Sequence, residues 1–110
     1  MGMGLVNSVV NTFDQSCVTA LLRILTIKRK VFRKVNKTNW AKEFRDLRCR
    51  DGVDKKRIKT VLAWYIKHIG DEYIPTAFSA SGFRDKFIKI EDAMERIQKD
   101  PKYQTIKITD

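Results

Sequence analysis

The sequence predicts an all-α protein, a single small domain built as a bundle of four to five helices. Apolar residues recur at the i, i+3, i+4, i+7 spacing of one helix face through most of the chain. Only 5 glycines and 2 prolines interrupt the 110 residues, which leaves room for long helices. The length suits one domain with its own core, and 43% apolar residues exclude a disordered chain.

Residues 1–37 are predicted to form a basic amphipathic segment. Residues 5–13 fit a short helix, although their β-branched side chains also suit a strand. A second helix is expected to begin at a cap on Asp14 or Ser16 and to end at Asn36. Its apolar stripe consists of Val18, Leu21, Leu22, Leu25, Phe32 and Val35. The cations of this stretch fall mainly opposite the stripe, so the helix should turn a positive face to solvent.

The next two helices are separated by a turn at Asp51-Gly52. Thr38 or Asn39 is expected to cap the shorter helix before the turn. Its buried face contains Trp40, Phe44 and Leu47. Asp54 should cap the helix after the turn, and Gly70 should close it in the left-handed conformation. This central helix has the apolar residues Ile58, Val61, Leu62, Tyr65 and Ile69.

One long helix is predicted after an ordered loop that contains Pro75, with Ser79 or Ser81 as its N-cap. Its apolar positions follow steps of four, three, four and three, and they are Phe83, Phe87, Ile90, Met94 and Ile97. Residues 38–99 therefore form the helical body. Residues 100–110 form a tail, for which a short strand is the alternative to an irregular end.

The charge is unevenly distributed along the chain. The net charge is +10, and no acidic residue occurs between Gln15 and Lys42. That window contains Arg23, Lys28, Arg29, Lys30, Arg33, Lys34, Lys37 and Lys42. Such a field attracts a polyanion, which means nucleic acid, an anionic membrane face or an acidic protein. A merely solvated helix face is the plain alternative, but such faces usually pair opposite charges at i,i+4.

The sequence contains no enzyme signature. It has no glycine-rich phosphate loop, no G-x-S-x-G and no H-E-x-x-H motif. Two cysteines, Cys17 and Cys49, and the single His68 are too few for a tetrahedral zinc site, and we expect two thiols without a disulfide. We therefore predict a non-enzymatic protein with no catalytic residue, metal or cofactor. A Mg²⁺-dependent nuclease that uses scattered acids is the alternative enzyme class.

From Trp40 onward the residues resemble a known family. The motifs are Trp40-Ala41-Lys42-Glu43-Phe44-Arg45-Asp46-Leu47, then Asp51-Gly52-Val53, Val61-Leu62-Ala63-Trp64 with His68, Asp71-Glu72-Tyr73-Ile74-Pro75, Ser79-Ala80 and Phe83-Arg84-Asp85-Lys86-Phe87. In this order they are similar to the C-terminal region of phage and plasmid replication-initiation proteins (replisome organisers). The similarity covers about residues 40–97. The residues before Trp40 are too few for the winged-helix domain that precedes this region in the family.

The resemblance implies a phage or mobile-element accessory protein that acts in DNA replication, in the cytoplasm of the host cell. Charge and resemblance together predict the residues that contact DNA phosphates or an acidic partner. These are Arg29, Lys30, Arg33, Lys34, Lys37, Lys55, Lys56, Arg57, Lys59, Arg84 and Lys86. Arg84 and Lys86 lie in the first turns of the last predicted helix, where backbone N–H groups favour anions.

The alternative function is a protein-interaction module, such as a phage-encoded inhibitor or adaptor that docks on an acidic host or replisome protein. Its apolar anchor would be the loop residues Tyr73, Ile74 and Phe78. A homodimer, a helix-turn-helix over residues 38–69 and binding to a membrane surface are further alternatives. No apolar stretch is long enough for a membrane span, so a cytoplasmic protein is expected.

Overall fold

The computed structural model describes residues 9–28 and 34–99. Five helices account for most of them: α1 (Thr12–Ile27), α2 (Lys37–Cys49), α3 (Lys55–His68), α4 (Ala80–Asp85) and α5 (Phe87–Lys99). No strand occurs in the described ranges, and the predicted all-α single domain is confirmed. Residues 100–110, for which a short strand was one prediction, lie outside these ranges. The first eight residues of the predicted N-terminal segment also lie outside them.

The helices pack as a closed ring around one core. Helix α1 contacts α2 and α3, α2 also contacts α4, α3 also contacts α5, and α4 contacts α5. Each helix therefore has two principal neighbours and turns its remaining face outward. The largest fully buried apolar side chains, which fill the centre of the ring, are Tyr65, Phe44, Phe83, Phe87, Leu21, Leu25, Leu47, Ile58, Ile90 and Val61.

An aromatic cluster lies at the centre of the core. The ring of Phe83 is 5.7 Å from the ring of Phe44, 5.7 Å from that of Tyr65 and 5.8 Å from that of Phe87, centroid to centroid. Tilted and edge-on contacts at this separation are favourable between aromatic rings. The Tyr65 hydroxyl accepts a hydrogen bond from the Ala77 backbone N–H at 2.7 Å. Of the aromatic residues predicted to lie in the core on α2, α4 and α5, Phe44, Phe83 and Phe87 are buried, whereas Trp40 is only partly buried.

Several predicted helix boundaries are confirmed. The Asp54 carboxylate accepts a hydrogen bond from the Arg57 N–H at 2.8 Å and caps α3. Ser79 caps α4 through a 3.0 Å bond from the Gly82 N–H. Gly70, just beyond α3, has a φ of +89°, which is the left-handed conformation that a glycine adopts without steric cost.

The predicted boundaries of the first two described helices were wrong. Helix α1 is capped by Asn11, not by Asp14 or Ser16, because Asn11 and Asp14 form a reciprocal capping box with two 3.1 Å bonds. The helix ends at Ile27, and residues 34–36 are not helical. Asn36 does not end a helix but starts one, because its side chain accepts the Asn39 N–H at 3.0 Å. That bond also replaces the predicted caps of α2 at Thr38 and Asn39.

The predicted final helix is interrupted at Lys86, which separates α4 from α5. The backbone of Lys86 has φ −100° and ψ 8°, outside the helical range. Its ammonium group donates a 2.6 Å hydrogen bond to the Thr76 carbonyl oxygen in the preceding loop. This contact comes from tertiary packing, so the regular spacing of apolar residues did not reveal the interruption.

A buried ion pair joins the beginning of α1 to the end of α2. The Asp14 side chain is 0% exposed, and Arg48 donates to both of its carboxylate oxygens at 2.9 and 2.8 Å. The same guanidinium donates to the Val9 carbonyl oxygen at 3.2 Å. The paired carboxylate raises the pKa of Arg48 above its ordinary value. The pair ties the beginning of α1 to the end of α2.

Candidate nucleic-acid interface

Five of the cations predicted to bind phosphates are exposed. They are Lys34, Lys37, Lys55, Lys56 and Lys59. Within residues 9–28 and 34–99, none of these five ammonium groups forms an ion pair with a carboxylate. The predicted contacts at Arg29, Lys30 and Arg33 lie outside the described residues.

Arg57 is engaged by a carboxylate, unlike its neighbours on α3. Its guanidinium forms two hydrogen bonds with the Glu91 carboxylate on α5, at 2.7 and 2.5 Å. It also lies over the Phe87 ring, 5.6 Å from the centroid. The pairing lowers the pKa of Glu91 and raises that of Arg57. Arg57 therefore ties α3 to α5 and contributes little free positive charge to the surface.

Arg84 and Lys86 also make contacts within the domain. Arg84 donates to Asp51 at 2.8 and 3.2 Å, to Glu43 at 3.2 Å, and lies 3.5 Å from Asp46. Three surrounding carboxylates raise the pKa of Arg84, and the guanidinium lowers that of Asp51. Lys86 is held by the carbonyl bond described above. Both side chains were predicted to contact phosphates, but in the structure both are already hydrogen-bonded within the domain.

A groove lies between α1 and the beginning of α2, and we call it the lysine groove; its lining mixes apolar side chains, among them Val18 and Leu22, with polar and charged ones. It consists of two cavities of about 500 and 790 Å³ that share Lys37 as a lining residue. Lys34 lines the second cavity. Amide and hydroxyl side chains supply the rest of the polar lining, at Gln15, Thr19, Thr26, Asn36 and Thr38. The described lining of both cavities includes no carboxylate.

The carboxylates of the described chain are segregated from this groove. Helix α1 contains one acidic residue, Asp14, which is buried against Arg48. Helix α3 contains none, although four lysines and one arginine lie on it. The remaining described acids lie on α2, at the caps and loops, and on α4 and α5. The lysines on the outer face of α3 therefore have no ion-pair partner among the described carboxylates, whereas Arg57 on the same helix is paired with Glu91.

The predicted partner loop is only partly available as an anchor. Tyr73 is 78% exposed and Phe78 is 54% exposed, as an apolar anchor requires. Ile74 is only 6% exposed and packs into the core, which corrects its predicted place in the anchor. The backbone of Tyr73, the residue before Ile74, is in the left-handed region with φ 70°.

The two cysteines and the histidine are placed in the fold without forming a disulfide or, in the described ranges, a metal site. Cys17 is buried, and burial with the nearby Asp14 charge raises its pKa to about 12, so the thiol stays protonated. Cys49 is exposed, and the two cysteines form no disulfide. His68 stacks on Trp64 with 4.4 Å between ring centroids, and its Nδ1 is 3.0 Å from an Asp71 carboxylate oxygen. In the described ranges, no three His, Cys, Asp or Glu side chains are placed to hold a metal ion.

Sequence reasoning missed the polar wall of the lysine groove. Gln15 and Thr19 lie one turn apart on α1, and the Thr19 hydroxyl donates to the Gln15 carbonyl oxygen at 3.1 Å. The available signal was the polar i,i+4 pair beside the apolar stripe. Without the position of α2, that pair could not be distinguished from any solvent-facing helix surface.

Comparison with known proteins produced no relative of this chain. No family model, no curated protein and no solved structure matches it. Among the helices that the structure describes, none combines the length and apolar character needed to cross a membrane.

Proposed function

We propose that this chain is a non-enzymatic nucleic-acid-binding protein that holds the phosphate backbone of DNA in the lysine groove. One observation carries the proposal. Lys34 and Lys37 line a groove with amide and hydroxyl groups, and no described carboxylate there neutralises them. Most protein hydrogen bonds to a DNA backbone come from these same chemical groups.

The surroundings of the groove strengthen its attraction for phosphate. The N-terminus of α2 lies beside Lys37, and unpaired N–H groups at a helix start favour an anion. Arg29, Lys30 and Arg33 precede Lys34 in the sequence and lie outside the described residues. Contacts of this kind are insensitive to base identity, so we expect binding without strong sequence preference.

We further propose that this binding serves DNA replication of a phage or other mobile element in the host cytoplasm. The support is the resemblance of residues 40–97 to replisome organisers, together with the cationic surface described above. The chain would act as an accessory that attaches to DNA, and no catalytic group is assigned to it.

The test measures DNA binding at two salt concentrations that differ fourfold. If about six phosphates are contacted, the affinity of the unmodified chain should fall by about 10³-fold between them. A Lys34→Glu/Lys37→Glu variant should bind more weakly and show a salt slope reduced by about two. Fluorescence anisotropy with labelled single-stranded and double-stranded oligonucleotides gives both quantities and identifies the preferred strand form.

The matched control is Lys89→Glu/Lys99→Glu, which makes the same change of charge on α5. Both residues are exposed, and α5 does not line the lysine groove. This variant should retain most of the affinity, apart from the smaller effect of net charge. Equal weakening by both variants, or affinity that does not respond to salt, would contradict the proposal.

A further inference from the structure

A second groove lies on the opposite flank of α1, between α1 and α3, and its lining is apolar. One cavity of about 390 Å³ contains Phe13, Ala20, Leu62 and Ile66 in its wall. A second cavity of about 280 Å³ shares Ala20 and Ile66 with the first and extends it along α1 to Ile27. We call the continuous depression the apolar trough.

The α1 wall of the trough has the spacing of a helix-packing seam. Phe13, Cys17, Ala20, Ile24 and Ile27 follow one another at steps of four, three, four and three positions. This is the spacing of the a and d positions at which one helix packs along another. From the first to the last of them α1 rises roughly 21 Å, at about 1.5 Å per residue. An occupant helix of about four turns would match that length.

The seam is incompletely covered. Phe13, Ala20, Ile24 and Ile66 are only partly buried against the core. Ile27, at the open end of the seam, is 63% exposed. Exposed apolar surface of this kind, arranged as a helix seam beside a second helix, is typical of a groove that receives an amphipathic helix.

The rim of the trough carries only positive charge. Lys59 lines the first cavity and Arg23 the second. The ammonium of Lys55 lies 5.9 Å from the centroid of the Phe13 ring, at the beginning of the trough. None of these three cations has a carboxylate partner within the described residues. An occupant therefore gains most if it has apolar side chains on one face and carboxylates beside them.

We infer that the apolar trough binds an acidic amphipathic helix of a partner protein. A second copy of this chain fits poorly, because a symmetric contact would place the same cations opposite one another. The parts of this chain outside the described residues also lack the required charge. Residues 1–8 have no charged side chain, residues 29–33 have only positive ones, and residues 100–110 balance two acids with two lysines. The trough and the lysine groove lie on different flanks of α1, so the two sites can be tested separately.

The probe is a synthetic helical peptide of about sixteen residues, with Leu and Ile at the a and d positions and Glu beside them. Two control peptides keep its length. One has Lys in place of every Glu, and the other keeps the composition but scrambles the apolar seam. With the full chain as receptor, the Glu peptide should bind at least about tenfold more tightly than either control in an anisotropy titration.

Two variants locate the binding site. Lys59→Glu on the rim should lower the affinity for the Glu peptide by about fivefold, because it converts an attraction into a repulsion. Lys67→Glu makes the same change on the same helix at an exposed residue that lines neither cavity, and it should have little effect. Ala20→Glu, in the floor of the trough, should abolish binding, and circular dichroism checks that this variant still folds.

Several outcomes would overturn the inference. Equal binding of the Glu peptide and the scrambled peptide would mean that net charge alone attracts them. Equal effects of Lys59→Glu and Lys67→Glu would place the peptide elsewhere. An oligonucleotide could also displace the Glu peptide from the trough. If Lys59→Glu then lowers the affinity for the oligonucleotide as much as the affinity for the Glu peptide, the trough is a nucleic-acid site. Because Lys59→Glu changes an exposed side chain, its result stands even if Ala20→Glu fails to fold.

Discussion

The buried pair of Asp14 and Arg48 leads to a quantitative prediction about stability. Replacing Arg48 by Met leaves a carboxylate that is 0% exposed without its two guanidinium hydrogen bonds of 2.9 and 2.8 Å. Breaking one side of a buried ion pair costs about 3–5 kcal/mol. Since domains of this size are stable by about 5–15 kcal/mol, the variant should lose a large share of its stability.

The measurement is urea unfolding at neutral pH, followed by far-UV circular dichroism. Arg48→Met should lower the free energy of unfolding by about 3–5 kcal/mol. At about 4–8 °C per kcal/mol, the melting temperature should fall by at least roughly 12 °C. Asp14→Asn removes the charge of the carboxylate but keeps an oxygen that can accept from the Asn11 N–H. Its loss of stability therefore reports the missing charge and not a missing helix cap.

A double-mutant cycle tests whether the two side chains act as a pair. The Asp14→Asn/Arg48→Met variant removes both charges, so its loss should be smaller than the sum of the single losses by about 2 kcal/mol or more. The control is Arg50→Met, since Arg50 is 74% exposed and 3.7 Å from Asp46. Its loss should stay below about 0.5 kcal/mol. If Arg48→Met costs no more than this control, or the cycle is additive, the reasoning is refuted.

Two further predictions concern other contacts in the core and on the surface. Tyr65→Phe should cost about 1–3 kcal/mol in the same unfolding assay, because it leaves the buried Ala77 N–H without its 2.7 Å acceptor; an unchanged midpoint would contradict this. The pKa of Asp51 is lowered in the folded chain by Arg84, so the unfolded state binds its proton first as the pH falls. The stabilisation from this pair should therefore be complete above the ordinary carboxyl pKa and disappear progressively below it. A pH series of melting temperatures should show a shallower acid loss for Arg84→Met than for the unmodified chain, and parallel curves would count against the assignment.

Local chemistry predicted much of the fold. Asp54 and Ser79 cap helices through bonds to residues three positions away, and Gly70 ends a helix through its left-handed backbone. A sequence pattern records such local features. Asn36 shows the limit of that reasoning. The same amide can follow one helix or start the next, and the apolar spacing continued up to Val35, directly before Asn36. Because the Asn36 side chain accepts the Asn39 N–H, Asn36 starts the second helix.

The candidate site was harder to predict, because it depends on contacts between distant parts of the chain. Arg84 meets Asp51 from 33 positions away, and Arg57 meets Glu91 from 34. Neither pairing follows from helix periodicity, so sequence reasoning counted both arginines as open to a ligand. Lys37 is exposed as predicted, although the prediction placed it on the preceding helix, which ends at Ile27. The groove around it depends on how α1 and α2 pack.

The two cysteines give this protein an internal reporter of local opening. A thiol-specific reagent should modify the exposed Cys49 faster than Cys17, which is buried at the wall of the apolar trough. The ratio of the two modification rates then measures how accessible Cys17 becomes without denaturant. A ligand that clamps α1 against either neighbouring helix will slow the labelling of Cys17 alone, so one chemical readout can detect occupancy of both grooves.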